Sequence, residues 1–254
     1  MGDILQARHD MAVVFVSYVV SVLGSYAGLH HAQFMYGRGG KLNWAMVTGA
    51  AVALGGIGIW TMHFLGVMGY RLPLPVVYDG VLTVASLVAA IVIAGIALLL
   101  ANRGGRFNRT GWMFGSVLAG LGVCVMHYMG MYAMNLRAEM RLDLLTVAAS
   151  VAIAITAAAA ALWLASHVRQ TSHRIGAALV MGVAVCTMHY TGMAAADFIC
   201  IAQQSTPDWS IGGDLIPMVF GVAGLVLVVL TWNLLGILGG NAKQGGTPAG
   251  ARRA

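Results

Sequence analysis

Seven long apolar segments dominate the chain and restrict it to a membrane fold. Each has 20 or more residues, and together they cover 11–34, 43–69, 78–101, 111–134, 144–166, 175–199 and 215–238. A helix of that length crosses the hydrocarbon core of a bilayer. Charged residues make up only 9% of the chain, against about 25% in ordinary soluble domains. The sequence therefore predicts an all-α, polytopic membrane protein with seven transmembrane helices.

The basic residues between these segments predict how the protein is oriented. Ten of them fall on one side of the membrane: Arg38, Lys41, Arg103, Arg106, Arg109, Arg169, Arg174, Lys243, Arg252 and Arg253. All eight acidic residues lie at or near the other side. Because basic loops stay in the cytoplasm, we expect residues 1–10 outside, an external loop and seventh helix over 201–238, and a disordered basic cytoplasmic tail over 239–254.

This orientation also accounts for the charge of the protein. The net charge of +6 comes from loops on one side of the membrane, so nucleic-acid binding is not predicted. The start of the chain has neither a positively charged leader nor a small-residue cleavage site before the first apolar segment, which argues against a cleaved signal peptide. The expected location is the inner membrane of a bacterium, with the N-terminus outside and the C-terminus in the cytoplasm.

A short motif occurs three times and organises the chain. Cys124–Met131 reads Cys-Val-Met-His-Tyr-Met-Gly-Met, Cys186–Met193 is almost identical, and Trp60–Met68 is a looser copy. The histidines of the three copies are 64 and 62 residues apart, and such a fixed period indicates a structural repeat. We therefore predict three pseudo-repeated helical hairpins, over 11–200, plus the seventh helix. Each returning helix then carries one histidine close to the outer surface.

Helical spacing shows which residues share a face with each histidine. The residues three before and four after it lie on its face, and a glycine seven before lies almost directly beneath it. These residues are Gly56, Trp60 and Val67 in the first copy, Gly120, Cys124 and Met131 in the second, and Gly182, Cys186 and Met193 in the third. The glycines are expected to let the helices approach closely. Cys124 and Cys186 are interpreted as small apolar residues rather than ligands.

Three imidazoles at one depth predict a trigonal nitrogen site for a metal, formed by His63, His127 and His189. Copper and zinc both accept imidazole, whereas nearby thioethers favour copper, particularly Cu(I). Two sets of methionines could supply sulfur. Helix geometry favours Met131 and Met193, while strict repetition favours the methionine immediately before each histidine, which is rotated by about 100° on an ideal helix. That second set is Met62, Met126 and Met188.

Three aspartates, Asp10, Asp79 and Asp143, stand at the outer starts of the first, third and fifth segments. Each could accept a hydrogen bond from the free ring nitrogen of a metal-bound histidine, which is a common arrangement around metal sites. Alternatively, each could be an N-cap that stabilises the start of its helix. The sequence favours the N-cap interpretation.

These residues resemble the MHYT-domain family of bacterial integral membrane sensors. Met188-His189-Tyr190-Thr191 matches the four letters of the name, Met126–Met129 matches three and Met62–Leu65 matches two. The resemblance implies a sensory module that binds copper near the outer face through His63, His127, His189, Met62, Met126 and Met188, with Met131 and Met193 nearby. It also implies that the copper site senses oxygen, carbon monoxide or nitric oxide.

The resemblance implies an output as well. Many family members continue into cyclic-di-GMP domains, and this sequence shows none after residue 238, so we expect a stand-alone member that signals to a separate cytoplasmic partner. Three alternatives stay open at this point. They are a zinc-dependent membrane hydrolase, a copper carrier or chaperone for oxidase assembly, and a haem protein ligated by two of the histidines. A non-enzymatic sensor with a site open to the outer side is the favoured interpretation.

Overall fold

Six long helices form most of the part of the chain that the computed structural model describes, which is residues 5–136, 138–200, 210–211 and 224. They are α1 (Met11–Ala32), α2 (Trp44–Met68), α3 (Gly80–Ala101), α4 (Arg109–Tyr132), α5 (Leu144–His167) and α6 (Thr171–Ala194). Each is long and apolar enough to cross a bilayer, so the prediction of a multi-pass helical membrane protein is confirmed. The predicted external loop, seventh span and basic tail, over 201–254, lie outside the described residues apart from 210–211 and 224.

The predicted segments agree with these helices to within two residues at every end except those of α6. The sequence predicts 175–199, whereas the helix runs from Thr171 to Ala194. The next residues, Ala196–Cys200, form a strand that pairs antiparallel with Ala138–Leu142. They are apolar enough to be read as a continuing helix, but their backbone groups bond to a neighbouring strand.

The helices pack as a ring in which helices that are consecutive in the chain are neighbours, and α6 closes the ring against α1. α1 packs against α2 and α6, α3 against α2 and α4, and α5 against α4 and α6. The last part of α2, Met62–Met68, also contacts α4 and α6. We call the end at which α2, α4 and α6 finish the motif end, and the opposite end, which carries the turns over 33–43, 102–108 and 168–170, the basic end. α2 is the most enclosed helix, with 78% of its apolar span buried against 11% for α5.

Short strands tie the helices together at the motif end. They are β1 (Arg8–His9), β2 (Tyr70–Arg71), β3 (Val77–Asp79), β6 (Met134–Asn135), β7 (Ala138–Leu142), β8 (Ala196–Cys200) and β9 (Ser210–Ile211), while β4 (Asn102–Arg103) and β5 (Arg106–Phe107) form a hairpin at the basic end. The strand before each odd-numbered helix pairs antiparallel with the strand after an even-numbered one, as β1–β2, β3–β6 and β7–β8. The all-α prediction missed these strands.

The helix α2 is irregular where its sequence is richest in glycine. Its backbone is π-helical from Val52 to Thr61 and returns to α-helix at Met62. The π-helical segment lies against α1 at a very close approach, because a Cβ on Gly24 would be 2.6 Å from the Cα of Gly58. The glycine-rich part of α2 therefore departs from regular α-helical geometry. π-helical turns are rare and often mark functional sites, and this one leads directly into Met62 and His63.

Candidate metal centre

His63, His127 and His189 converge at the motif end, as their spacing predicts. Their Nδ1 atoms face one another, with separations of 3.1 Å between His63 and His127, 3.1 Å between His63 and His189, and 3.3 Å between His127 and His189. The three rings lie nearly perpendicular to one another, with interplanar angles of 77°, 85° and 86°. Each ring therefore presents its Nδ1 edge to one shared point.

The size of this triangle fits a metal ion bound by nitrogen. The centre of a triangle with these sides lies about 1.8 Å from each Nδ1, close to the bond length of about 2.0–2.1 Å between zinc and imidazole nitrogen. Within the described residues, these histidines also form the one group of three His, Cys, Asp or Glu side chains with ligand atoms close enough for a shared ion. The predicted trigonal nitrogen set is thus present as a geometric arrangement.

The same compactness rules out haem between two of these histidines. A porphyrin needs its two axial nitrogens on opposite sides of a wide planar ring. The imidazole centroids here are only 4.9–5.1 Å apart in all three pairs. The third imidazole occupies the space that the macrocycle would need.

The site is closed on the motif side rather than open. His63 is fully buried, and His127 and His189 are each only 1% exposed. A buried apolar cluster at the motif end includes Phe64, Val67, Met131 and Met193 from the helices, and Phe198 from β8. The expectation of a site open to the outer side is therefore wrong, because the strands and their apolar side chains cover the ends of the helices.

All five candidate methionines are buried, but in different surroundings. Met131 and Met193 lie in the cluster at the motif end, as does Met126. Met188 instead packs with Cys124 and Ala154, and Met62 is buried with 1% of its surface exposed. Since α4 and α6 are regular α-helices, Met126 and Met188 point about 100° away from their histidines. Met131 and Met193, four residues after the histidine, share the helical face of that histidine.

The three aspartates cap helices and do not support the histidines. Asp10, Asp79 and Asp143 accept hydrogen bonds from backbone N–H groups in the first turns of α1, α3 and α5. The bond from the Val13 N–H lowers the pKa of Asp10, and the Thr146 side chain lowers that of Asp143. The Nε2 atoms of the three histidines, by contrast, have no hydrogen-bond partner among the described residues.

The aspartates do not reach the histidines because the two sets of residues lie at different positions along the helix axis. Their backbone N–H groups donate to the carbonyls of Gly69, Ala133 and Ala195, at 2.8 Å in each case. Each carbonyl belongs to the sixth residue after a motif histidine, and six residues of helix rise about 9 Å. The aspartates therefore sit roughly 9 Å above the histidines along the helix axis, too far for direct hydrogen bonds.

The glycines seven residues before the histidines differ in how closely a neighbouring helix approaches them. A Cβ on Gly120 would lie 2.5 Å from the Cα of Ile155, and one on Gly182 would lie 2.7 Å from the Val22 side chain. The prediction of close approach is confirmed at these two positions. It is wrong at Gly56, where a Cβ would meet its nearest neighbour at an ordinary 3.7 Å, because that part of α2 is π-helical and turned away from the regular pattern.

Three serines on the odd-numbered helices each form a hydrogen bond with a side chain of the motif, and we call this bond the serine brace. The sequence analysis missed these serines. The Tyr190 hydroxyl lies 3.1 Å from Ser17 Oγ, and the Tyr128 hydroxyl lies 2.9 Å from Ser150 Oγ. Each serine already donates its only proton to the carbonyl three residues before it, so the tyrosine is the donor. The signal was available, since a serine follows seven residues after each capping aspartate, at positions 17, 86 and 150.

The first copy has Phe64 where the others have tyrosine, and a different side chain provides its brace. Trp60 Nε1 donates to Ser86 Oγ at 3.0 Å, and Ser86 in turn donates to the Thr83 carbonyl at 2.7 Å. Trp60 occupies the position that Cys124 and Cys186 hold in the other copies. The serine brace therefore exists in all three copies, although its donor differs.

An apolar cavity of about 100 Å³ lies on the basic side of the site. Alanines of α3, α4, α5 and α6 form much of its wall, and Met188, next to His189 in the chain, is part of its lining. Its lining is almost entirely apolar, with Ser25 as the one polar residue, and such a cavity offers few favourable positions for water or ions. It suits small apolar molecules instead.

Comparison with known proteins gives a family match that follows the same three motifs. The family described as "MHYT: Bacterial signalling protein N terminal repeat" matches residues 56–112, 120–178 and 182–239. Each match begins at the glycine seven residues before a histidine, so the family repeat runs from an even-numbered helix into the segment that follows it. No solved structure matches the chain significantly.

Several curated proteins are similar over most of this chain. A bifunctional diguanylate cyclase/cyclic di-GMP phosphodiesterase, MucR, of Pseudomonas aeruginosa is 39% identical over 202 residues, which is 76% of this chain and 29% of that protein. The cyclic di-GMP phosphodiesterase NbdA of the same organism is 30% identical over 205 residues, 76% of this chain and 25% of the relative. The signaling protein YkoW of Bacillus subtilis is 26% identical, with the same two shares. The chain thus spans little more than a quarter of these relatives.

Proposed function

This chain belongs to the family of bacterial signalling proteins with MHYT repeats, and on that premise we propose that its histidine triad holds copper and serves as the input site of a membrane sensor. The relatives named above are enzymes of cyclic di-GMP turnover or signalling proteins. The proposed output is therefore a cytoplasmic partner in cyclic di-GMP signalling. The changes at the metal would reach that partner through the helices.

One observation carries the proposal, which is the mutual contact of three Nδ1 atoms in a buried site. A nitrogen of a neutral imidazole either carries a proton or presents a lone pair. Among three nitrogens that all contact one another, at least two must be of the same kind, and two such atoms repel instead of forming a hydrogen bond. A bound cation removes the conflict, because all three lone pairs can point at it. Copper is the proposed ion because buried thioethers lie beside the imidazoles.

The closed site favours a small neutral signal over a dissolved ion. Histidines buried below an apolar layer exchange ions slowly, since a bare ion is costly to move through apolar surroundings. Oxygen, carbon monoxide and nitric oxide carry no charge, and the apolar cavity beside Met188 would admit them. Bound Cu(I) with three nitrogen ligands would supply a soft centre with a free position for such a molecule. We therefore propose a resident copper ion and a gaseous signal.

The alternatives find less support in the site. A zinc hydrolase needs a general base and a path for water, yet the nearby carboxylates cap helices about 9 Å away and the surroundings of the triad are apolar. A copper carrier needs ligands that lead an ion onwards. The cavity on the basic side is lined mainly by alanines, leucines and valines, with Met181 and Met188 the sulfur-bearing residues in its wall.

The proposal includes the placement of the protein in the inner membrane. The basic end faces the cytoplasm, in agreement with the positive-inside rule, and the pairs α1–α2, α3–α4 and α5–α6 are three pseudo-repeated hairpins. Reporter fusions after Arg106 and Arg174 should report a cytoplasmic position, and a fusion after Asp208 an external one. A cytoplasmic signal from the last fusion would invert the orientation and remove the site from the outer half of the membrane.

Element analysis of anaerobically purified protein in mild detergent tests the metal proposal. We expect about one copper per chain, in excess of zinc, and its loss in a His127→Ala variant. Carbon monoxide added to the reduced protein should give an infrared C–O stretching band that the His127→Ala variant lacks. Zinc at one per chain without any carbon monoxide band would defeat the copper and gas-sensing proposals together.

A further inference from the structure

The outer edge of each motif histidine rests on a glycine of a neighbouring helix. A Cβ added to Gly130 would overlap Nε2 of His63, and it would lie 2.8 Å from Cδ2 of the same ring. Gly192 stands in the same relation to His127, and Gly66 to His189, again with 2.8 Å to each Cδ2. Each of these glycines is the third residue after a motif histidine.

These contacts form a closed cycle. The histidine of α2 rests on α4, that of α4 rests on α6, and that of α6 rests on α2. Every even-numbered helix therefore contributes one imidazole and one glycine seat. The cycle explains why the first copy keeps glycine at this position although it has lost its tyrosine, its cysteine and its later methionine.

The seats leave each imidazole with one orientation. On the Nε2 edge the ring meets the glycine backbone, and on the Nδ1 edge it meets the other two rings at 3.1–3.3 Å. The site is buried, so a ring displaced by an extra methyl group has no free space to enter. A methyl group on one seat therefore acts on the histidine of another helix, and only weakly on the histidine of its own helix.

We propose that Gly66, Gly130 and Gly192 are positioning residues that turn the three Nδ1 atoms towards the shared metal position and couple the three helices in a ring. This inference rests on the proposed function in one respect, which is that the three Nδ1 atoms bind a metal. The cycle of seats itself does not depend on metal. A displacement of any one imidazole reaches the next helix through its seat, and thus all three.

The test uses metal-free protein and measures thermal unfolding in detergent. Gly130→Ala should lower the unfolding midpoint by about 5 °C, as expected for overpacking in a chain of this size. In a His63→Ala background the same substitution should cost nothing, because the ring that it would overlap is gone. In a His127→Ala background, which removes the histidine of its own helix, the cost should persist.

The cyclic order gives two further comparisons. Gly192→Ala should be rescued by His127→Ala and not by His189→Ala, and Gly66→Ala by His189→Ala and not by His63→Ala. Gly176→Ala is the matched control, because Gly176 lies on α6 and a Cβ there would meet nothing within 4 Å. Equal costs of Gly130→Ala in both histidine backgrounds, or rescue by the histidine of the same helix, would overturn the proposal.

Even a Gly130→Ala variant that does not fold can test whether Gly130 is the seat for His63. If Gly130→Ala gives no folded protein, the yield of folded protein should return with His63→Ala and not with His127→Ala, and its failure to return would count against the seat. Metal content is measured separately, and Gly130→Ala should lower metal affinity at least tenfold. Rescue in cyclic order without any metal binding would keep the ring of seats and reject the metal proposal, whereas metal binding without rescue would do the reverse.

Discussion

The first copy of the motif differs from the other two, and the comparison separates what the site needs from what it tolerates. In α2 the residues around His63 include Trp60, Phe64 and Val67, where α4 and α6 have cysteine, tyrosine and methionine. The helix before His63 is π-helical, whereas α4 and α6 are α-helical throughout. Nevertheless, His63 Nδ1 lies at the same distance, 3.1 Å, from both partners.

What survives in the divergent copy is the imidazole, the glycine three residues later and the brace to a serine. What it lacks is the thioether four residues after the histidine and the hydroxyl one residue after it. The brace shows that a lost contact can be replaced, because Trp60 donates to Ser86 in place of a tyrosine. The imidazole and its seat, in contrast, are the same residue types in all three copies.

The largest expected effect tests whether the divergent copy is an equal ligand. Replacing His63 with alanine should abolish metal binding as completely as His127→Ala, His189→Ala or the triple variant, because ligands of one site are strongly non-additive. Metal content per folded chain is the measurement. Retention of full metal by His63→Ala, with loss in His127→Ala, would show that the first copy is structural and that the site uses two histidines.

A second prediction concerns the different braces. Trp60→Cys gives the first copy the residue of the other two, yet it should lower the free energy of unfolding by about 3 kcal/mol, because it leaves a cavity and removes the bond to Ser86. Tyr128→Phe, which removes only a hydroxyl, should cost about 1 kcal/mol. Denaturant titrations in detergent give both values. Equal costs would mean that the cavity left by Trp60→Cys adds nothing to the loss of its bond to Ser86, and would contradict this prediction.

Much of this architecture was predictable from the sequence, and the limits have physical reasons. The helix positions and the convergence of the histidines follow from local hydropathy and from the fixed period. Two features could not be predicted: that the Nδ1 atoms face one another, and that Gly130 is the seat for His63. Both depend on contacts between helices, and the sequence of a single helix carries no information about its neighbours. The sequence left the role of Asp79 open because an aspartate can be either an N-cap or a hydrogen-bond partner of a histidine. Its position along the helix axis, which the structure shows, distinguishes the two roles.

The proposed sulfur ligands give a third prediction, with a smaller expected effect. Met131 and Met193 lie on the histidine face of regular helices, so a Met131→Leu, Met193→Leu double variant should bind Cu(I) about tenfold more weakly. Its matched control is Met126→Leu, Met188→Leu, which should bind nearly as the unaltered protein does. Val67→Met, which restores the missing thioether to the first copy, should strengthen binding. Weakening in the control alone would move the sulfur ligands to the residues before the histidines.

The smallest expected effect separates helix capping from metal support, and it concerns a feature that all three copies share. Asp79 accepts a hydrogen bond from the Leu82 N–H at 2.9 Å, and its own backbone N–H donates to the Ala133 carbonyl at 2.8 Å. Asp79→Ala should lower the free energy of unfolding by about 1 kcal/mol, whereas asparagine caps a helix as well as aspartate and Asp79→Asn should change it by only a few tenths of a kcal/mol. Metal affinity should stay the same in both variants, because the carboxylate lies well above the histidines. A loss of tenfold or more in metal affinity on Asp79→Asn, with stability unchanged, is the behaviour of a hydrogen-bond partner of a metal ligand, and it would show that the aspartates reach the site after all.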